Sequence, residues 1–129
     1  MSLTESDIAS ACDAIARSLG WRVEVYSDTR AVRTTPGLPD RRYVRAARRV
    51  WVELKAPGGK LTEEQHAFLL SELDANAHAT VIDSEAQLLR LFRDLATLGG
   101  RGVALDYCRS LVEQTAARGY RGKRKDSAA

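Results

Sequence analysis

The stretch VWVELKAPGGKLTEEQHAFLLSELDANAHATVID, residues 50 to 83, decides the fold. VWVELK alternates with the period of a strand: Val50, Val52 and Leu54 point one way, Trp51, Glu53 and Lys55 the other. APGGK is a turn. Thr62 followed by Gln65 has the spacing of a capping box, opening a helix that runs to about Ala75 with Ala67, Phe68, Leu70 and Leu73 among its packing residues. ATVID then reads as a short buried strand. A helix of that length between two strands is a crossover joining parallel neighbours, so the stretch predicts a mixed α/β layer.

Upstream, Tyr43 and Val44 belong to a shorter partner strand that makes a hairpin or a bent ribbon with VWVELK. WRVEVY, Trp21 to Tyr26, alternates large apolar with charged residues and reads as a half-buried strand, followed by a polar loop through Pro36 to Pro39. The opening segment is an amphipathic helix. Ile8, Ala11, Cys12, Ile15, Ala16 and Leu19 fall on one face, Gly20 supplies the stop, and Ser2 with Glu5 forms the expected capping box. Downstream, Ser84 with Gln87 opens a helix whose core stripe is Leu88, Leu91, Phe92 and Leu95. LGGRG breaks it before a last helix from about Val103 to Ala117. Residues 1–118 are expected to form one domain, and 119–129 a basic, mobile tail.

The chain has 129 residues, enough for one core and one site. No apolar run approaches the roughly 20 residues of a membrane helix, so no membrane partner is expected. MSLTESDIAS carries acids and no basic n-region, which predicts no targeting segment and a cytoplasmic location. Cys12 and Cys108 lie far apart outside any C-x-x-C pair and read as small buried residues. Likewise, His66 and His78 lack metal-ligand spacing. The net charge is only +3, but the cations cluster: Arg41, Arg42, Arg45, Arg48 and Arg49, then Arg118, Arg121, Lys123, Arg124 and Lys125. Clustered cations suit an anionic polymer, and these residues other than Arg118, together with Lys60, are the expected DNA-contacting surface.

Two residues apart on one strand face, Glu53 and Lys55 have Cα atoms about 6.6 Å apart, so a carboxylate and an ammonium can converge on one reacting group. Asp40 from the neighbouring segment adds a second hard oxygen ligand. Two carboxylates with a main-chain carbonyl and waters suit Mg²⁺, which polarises a phosphoryl oxygen and acidifies water, while Lys55 orients that water or offsets charge on the phosphate. The bland alternative for an isolated E-x-K is a solvated strand face.

Four features in order, Glu5 on the first helix, TPGLPD ending in Asp40, WVELK with Glu53 and Lys55, and GGKLTEEQ ending in Gln65, resemble the VRR-NUC domain, a compact branch of the PD-(D/E)XK nuclease superfamily. The resemblance covers roughly Thr4 to Phe92. It implies an α/β fold, a restriction-endonuclease-like mixed sheet flanked by helices, here with an extra C-terminal helix. It also implies Mg²⁺- or Mn²⁺-dependent hydrolysis of DNA phosphodiesters, with Asp40 and Glu53 as metal ligands, Lys55 as the catalytic lysine, Gln65 in support and Glu5 reaching the site through its outer shell. Family members usually follow the motif aspartate with apolar residues; here Arg41 and Arg42 follow, leaving the start of the second strand open. Helix capping alone also accounts for Gln65 and, with the helix dipole, for Glu5.

The expectation is an endonuclease with little base preference, selective for branched or four-way-junction DNA if two copies pair as a homodimer, and so suited to DNA repair. Alternatives are a catalytically inactive DNA-binding module on the same fold and a Holliday-junction resolvase of another PD-(D/E)XK branch.

Overall fold

The computed structural model of the chain describes residues 2–26 and 35–122. Within them the elements run α1 (Glu5–Ser18), β1 (Arg22–Val25), β2 (Arg41–Arg45), β3 (Arg48–Leu54), α2 (Glu63–Asp74), β4 (His78–Ile82), α3 (Glu85–Ala96) and α4 (Arg101–Ala116). The four strands form one sheet in the order β1-β2-β3-β4, antiparallel except for the parallel pair β3 and β4. The crossover expected of residues 50 to 83 is therefore present, and the architecture is a mixed α/β sheet flanked by helices.

Each face is covered for a reason visible in its side chains. Tyr43, Val50, Val52 and Leu54 are buried with Ile8, Cys12 and Ala16 of α1 and with Leu88, Leu91, Phe92 and Leu95 of α3. Trp21 stacks on Phe92 at 4.4 Å, and Tyr43 meets the same ring edge-on at 5.8 Å. On the opposite face Trp51 packs edge-on against Phe68 of α2 at 5.7 Å. All five residues of β4 are buried although it is an edge strand, because α4 lies along it, and the Thr80 hydroxyl donates to the Cys108 carbonyl at 3.0 Å. Such a cover removes an edge open to pairing with another chain. Cys12 and Cys108 are free and buried, and burial pushes both thiols up to about 12. No helix among the described residues is long and apolar enough to cross a membrane.

Four local details differ from the sequence reading. First, the cap of α1 is Thr4 with Asp7, whose side chains exchange hydrogen bonds with each other's backbone at 2.8 and 3.0 Å, rather than Ser2 with Glu5. The two patterns overlap with an offset of two residues, and only the second forms. Second, α2 buries Leu69 and Leu73 while Phe68 and Leu70 are half-buried and Ala67 is exposed. Its apolar run is too continuous to reveal its inner face, since the helix meets both the sheet and α4. Third, α4 starts at Arg101, before Val103. Its cap is Gly100, which gives no polar start signal; a Cβ there would sit 1.9 Å from the Asp94 carbonyl oxygen. Fourth, the first residues of the expected tail lie on the domain: the Arg121 amide donates to the Leu61 carbonyl at 2.7 Å, and Tyr120 lies beside His66. Lys123, Arg124 and Lys125 fall outside the described residues.

Candidate metal centre

Glu53 is the penultimate residue of β3 and Lys55 follows the strand, anchored to β4 by its amide, which donates to the Ile82 carbonyl at 3.0 Å. Both side chains are buried, Glu53 2% and Lys55 4% exposed, with Lys55 Nζ 3.4 Å from Glu53 Oε2. Gln65 Nε2 donates to the same oxygen at 3.0 Å. The other oxygen, Oε1, is buried with no hydrogen-bond partner among the described residues.

Asp40 comes from the loop before β2. Where β2 leaves the ladder, Asp40 Oδ2 accepts from the Leu54 amide at 3.1 Å, and the Asp40 carbonyl accepts from the Tyr26 amide at 2.8 Å. The loop itself is held by close backbone approach. Gly37 has φ +75°, and a Cβ there would stand 2.1 Å from the Glu64 carbonyl oxygen and 2.8 Å from the Gln65 amide. Only glycine fits, and its fit seats the Asp40 loop against the first turn of α2. Gln65 fills both roles that its position suggests, with Oε1 accepting from the Thr62 amide at 2.9 Å while Nε2 reaches Glu53. Capping and site support are thus one arrangement.

The Glu53 carboxyl is raised to about 8, first by burial and then by the negative charge of Asp40, which also lies within hydrogen-bonding range; Lys55 opposes both effects. A buried acid beside a second acid is costly unless a cation compensates. Among the described residues no group of three or more His, Cys, Asp or Glu is placed to hold a metal ion. The donor set is therefore two hard carboxylates, one with an unsatisfied buried oxygen. That fits a divalent ion that completes its shell with backbone carbonyl and water, as Mg²⁺ prefers. Asp40 and Gln65 are half-buried, whereas Glu53 and Lys55 are buried.

The other expected site residues are placed differently. Glu5 is exposed in the first turn of α1 and makes no contact with the cluster. Instead α1 contributes Asp13, which the sequence reading missed. It is 8% exposed and accepts from Tyr43 Oη at 2.9 Å and from Arg41 Nε at 3.1 and 3.2 Å. Arg41 Nη1 in turn donates to the Asp40 carbonyl at 3.2 Å, so the polar start of β2 is explained by a buried partner. The only sequence signal was an acid flanking the apolar stripe at Cys12 and Ala16. Two further residues hold the turn after Lys55: Asp83 Oδ2 accepts from the Gly58 amide and from Arg118 Nη1, both at 3.2 Å, and Arg118 Nη1 also reaches the Gly59 carbonyl at 3.1 Å.

Among the expected DNA contacts, Arg42 pairs with Glu24 and lies 5.3 Å over the Trp51 ring. That pairing, Arg42 foremost, holds the Glu24 carboxyl down to about 2. Arg45, Arg48, Arg49, Lys60 and Arg121 are exposed. Trp51 is half-buried on the Glu53 face, with Tyr26 5.3 Å away. No protein-family model matches the chain, and no curated protein matches it.

Proposed function

We propose that the chain is a metal-dependent DNA nuclease of restriction-endonuclease-like fold, hydrolysing phosphodiester bonds at the centre formed by Asp40, Glu53 and Lys55. The observation that carries this reading is the buried Glu53 carboxylate, with Lys55 and Gln65 on one oxygen and no hydrogen-bond partner on the other among the described residues. A fold gains nothing in stability from such a group, because apolar residues of similar size would pack there at lower cost. Sequence-level rules are broken most often where chemistry requires it.

Asp40 and Glu53 would hold Mg²⁺ or Mn²⁺. When bound, the ion supplies positive charge beside the phosphoryl group and makes water a stronger acid. The chain's own residues do the rest. Gln65 fixes the Glu53 carboxylate by its hydrogen bond, leaving Oε1 for the ion. The Asp40 loop is registered on α2 through Gly37 and on β3 through the Leu54 amide. Lys55 Nζ, already at the cluster, offsets negative charge that develops on the phosphate. Exposed arginines of the β2–β3 hairpin supply sequence-independent phosphate contacts. Branched DNA is the proposed substrate if two copies act together.

The test is cleavage of linear, nicked, flap and four-way DNA in Mg²⁺ or Mn²⁺, with binding measured alongside. Wild type should cleave; Glu53→Ala and Lys55→Ala should bind with similar affinity but cut at least about 100-fold more slowly. Equal cleavage by either variant, or binding by wild type with no cleavage in either metal, overturns the assignment. The second outcome would favour a DNA-binding module.

A further inference from the structure

A cavity of about 350 Å³ opens at the starts of β3 and β4, the end of the sheet away from Glu53. At about 3.3 Å per residue, Arg48 stands roughly 16 Å along β3 from Glu53. Arg48, Arg49 and Arg101 line it, and no acidic residue does. The Arg48 and Arg49 side chains have no hydrogen-bond or ion-pair partner among the described residues. Arg101 reaches only the Asn76 carbonyl, at 3.3 Å. Arg48 and Arg101 line the cavity with no acid beside them, so an anion entering it meets uncompensated positive charge.

Two neighbours reinforce this. Buried His78 lines the cavity, and its Nε2 donates to the Arg101 carbonyl at 3.2 Å. The first turn of α4 also opens here: Gly100 offers no side-chain cap, the turn has no acid, and its first residue is Arg101. A cation at a helix N-terminus opposes the helix dipole, whereas an anion there would take up the free N–H groups.

We propose that this cavity is a phosphate-binding site, taking either a backbone phosphate or the terminal phosphate of a nucleic-acid strand. Guanidinium forks match phosphate oxygens, and the fully exposed Leu98 at the rim gives the adjoining nucleotide an apolar surface. The site stands apart from the metal centre and does not require it to be active.

Its test is fluorescence anisotropy in EDTA, with a 3′-labelled single-stranded oligonucleotide carrying either a 5′-phosphate or a 5′-hydroxyl. Arg48→Ala with Arg101→Ala should weaken binding at least about tenfold and lower the salt slope by about 1.4. The charge-matched control is Arg17→Ala with Arg93→Ala, two exposed arginines that do not line the cavity, which should change affinity less than about threefold. If the cavity variant loses a preference for the 5′-phosphate, the ligand is a strand end; if both oligonucleotides weaken equally, it is the backbone. A cavity variant that binds no worse than the control overturns the proposal.

Gly102→Glu guards against a folding artefact. Gly102 is exposed in the first turn of α4 and has nothing within 4 Å of an added Cβ. An acid there should raise the melting midpoint, since it replaces a helical glycine and complements the dipole, yet weaken binding. Unchanged binding by a stabilised Gly102→Glu also overturns the site. Because no divalent metal is present, neither result bears on cleavage.

Discussion

Replacing Glu53 with glutamine should stabilise the metal-free protein. The wild-type carboxyl moves from an ordinary 4.5 to about 8, chiefly through burial and then through Asp40. A folded-state value above the unfolded one means that the folded chain holds the proton more tightly. The neutral acid's contribution to stability is therefore complete below 4.5 and is lost as pH rises through about 8. At about 1.4 kcal/mol per pH unit, the loss between pH 5 and pH 8 has an upper bound of about 4 kcal/mol. Relaxation and water entry lower the effective penalty, so about 2 kcal/mol is expected. Glutamine does not titrate, its carbonyl can still accept from Gln65 and Lys55, and its amide can donate toward Asp40.

The assay is thermal or urea denaturation of wild type and Glu53→Gln in EDTA across pH 5 to 8. The gap in favour of the variant should widen by about 2 kcal/mol, or about 6–10 °C in melting midpoint for a domain of this size. Saturating Mn²⁺ should reverse the order by stabilising wild type alone. Parallel pH profiles for the two proteins, or a variant less stable than wild type at pH 8, would mean that Glu53 is not held against its own solvation.

Three further outcomes follow from the same contacts. Asp13→Asn leaves Arg41 facing a neutral amide in a buried setting and should cost about 2–4 kcal/mol in urea denaturation; a change below about 0.5 kcal/mol would mean that the pair is not structural. Gly37→Ala forces a side chain into the α2 backbone at positive φ and should cost about 2–4 kcal/mol while slowing cleavage; an unchanged midpoint would contradict the close approach. His78 is held below its usual 6.5, first by desolvation, so the unfolded chain gains its proton first and the histidine's contribution is lost as pH falls below 6.5. His78→Gln should lessen the fall in melting midpoint between pH 7 and pH 5, and an identical fall in both proteins would exclude this histidine as a cause.

The sheet was legible because its signals were local and mutually consistent. VWVELK alternates, ATVID is short and apolar, and the helix between them has a start signal that the structure uses, Thr62 with Gln65. What the sequence left open depends on partners distant in the chain. Arg41 and Arg42 looked out of place at a strand start until Asp13, 28 residues earlier than Arg41, and Glu24 were brought to them by the fold. Asp13 itself sits on the flank of a helix, where an acid is ordinarily solvated. Glu5 carried the opposite risk: its motif position suggested a site role, while the start of α1 exposes it. Gln65 could not be assigned to cap or site from spacing alone because one amide side chain satisfies both.

Whether a divalent ion occupies the proposed centre between Asp40 and Glu53 is decided by anomalous diffraction from Mn²⁺-soaked crystals. A peak is expected about 2.1 Å from an Asp40 carboxylate oxygen and from Glu53 Oε1, with Gln65 and Lys55 still on Oε2. A crystal saturated with Mn²⁺ whose peaks all lie elsewhere, with Oε1 still unpartnered, would contradict it.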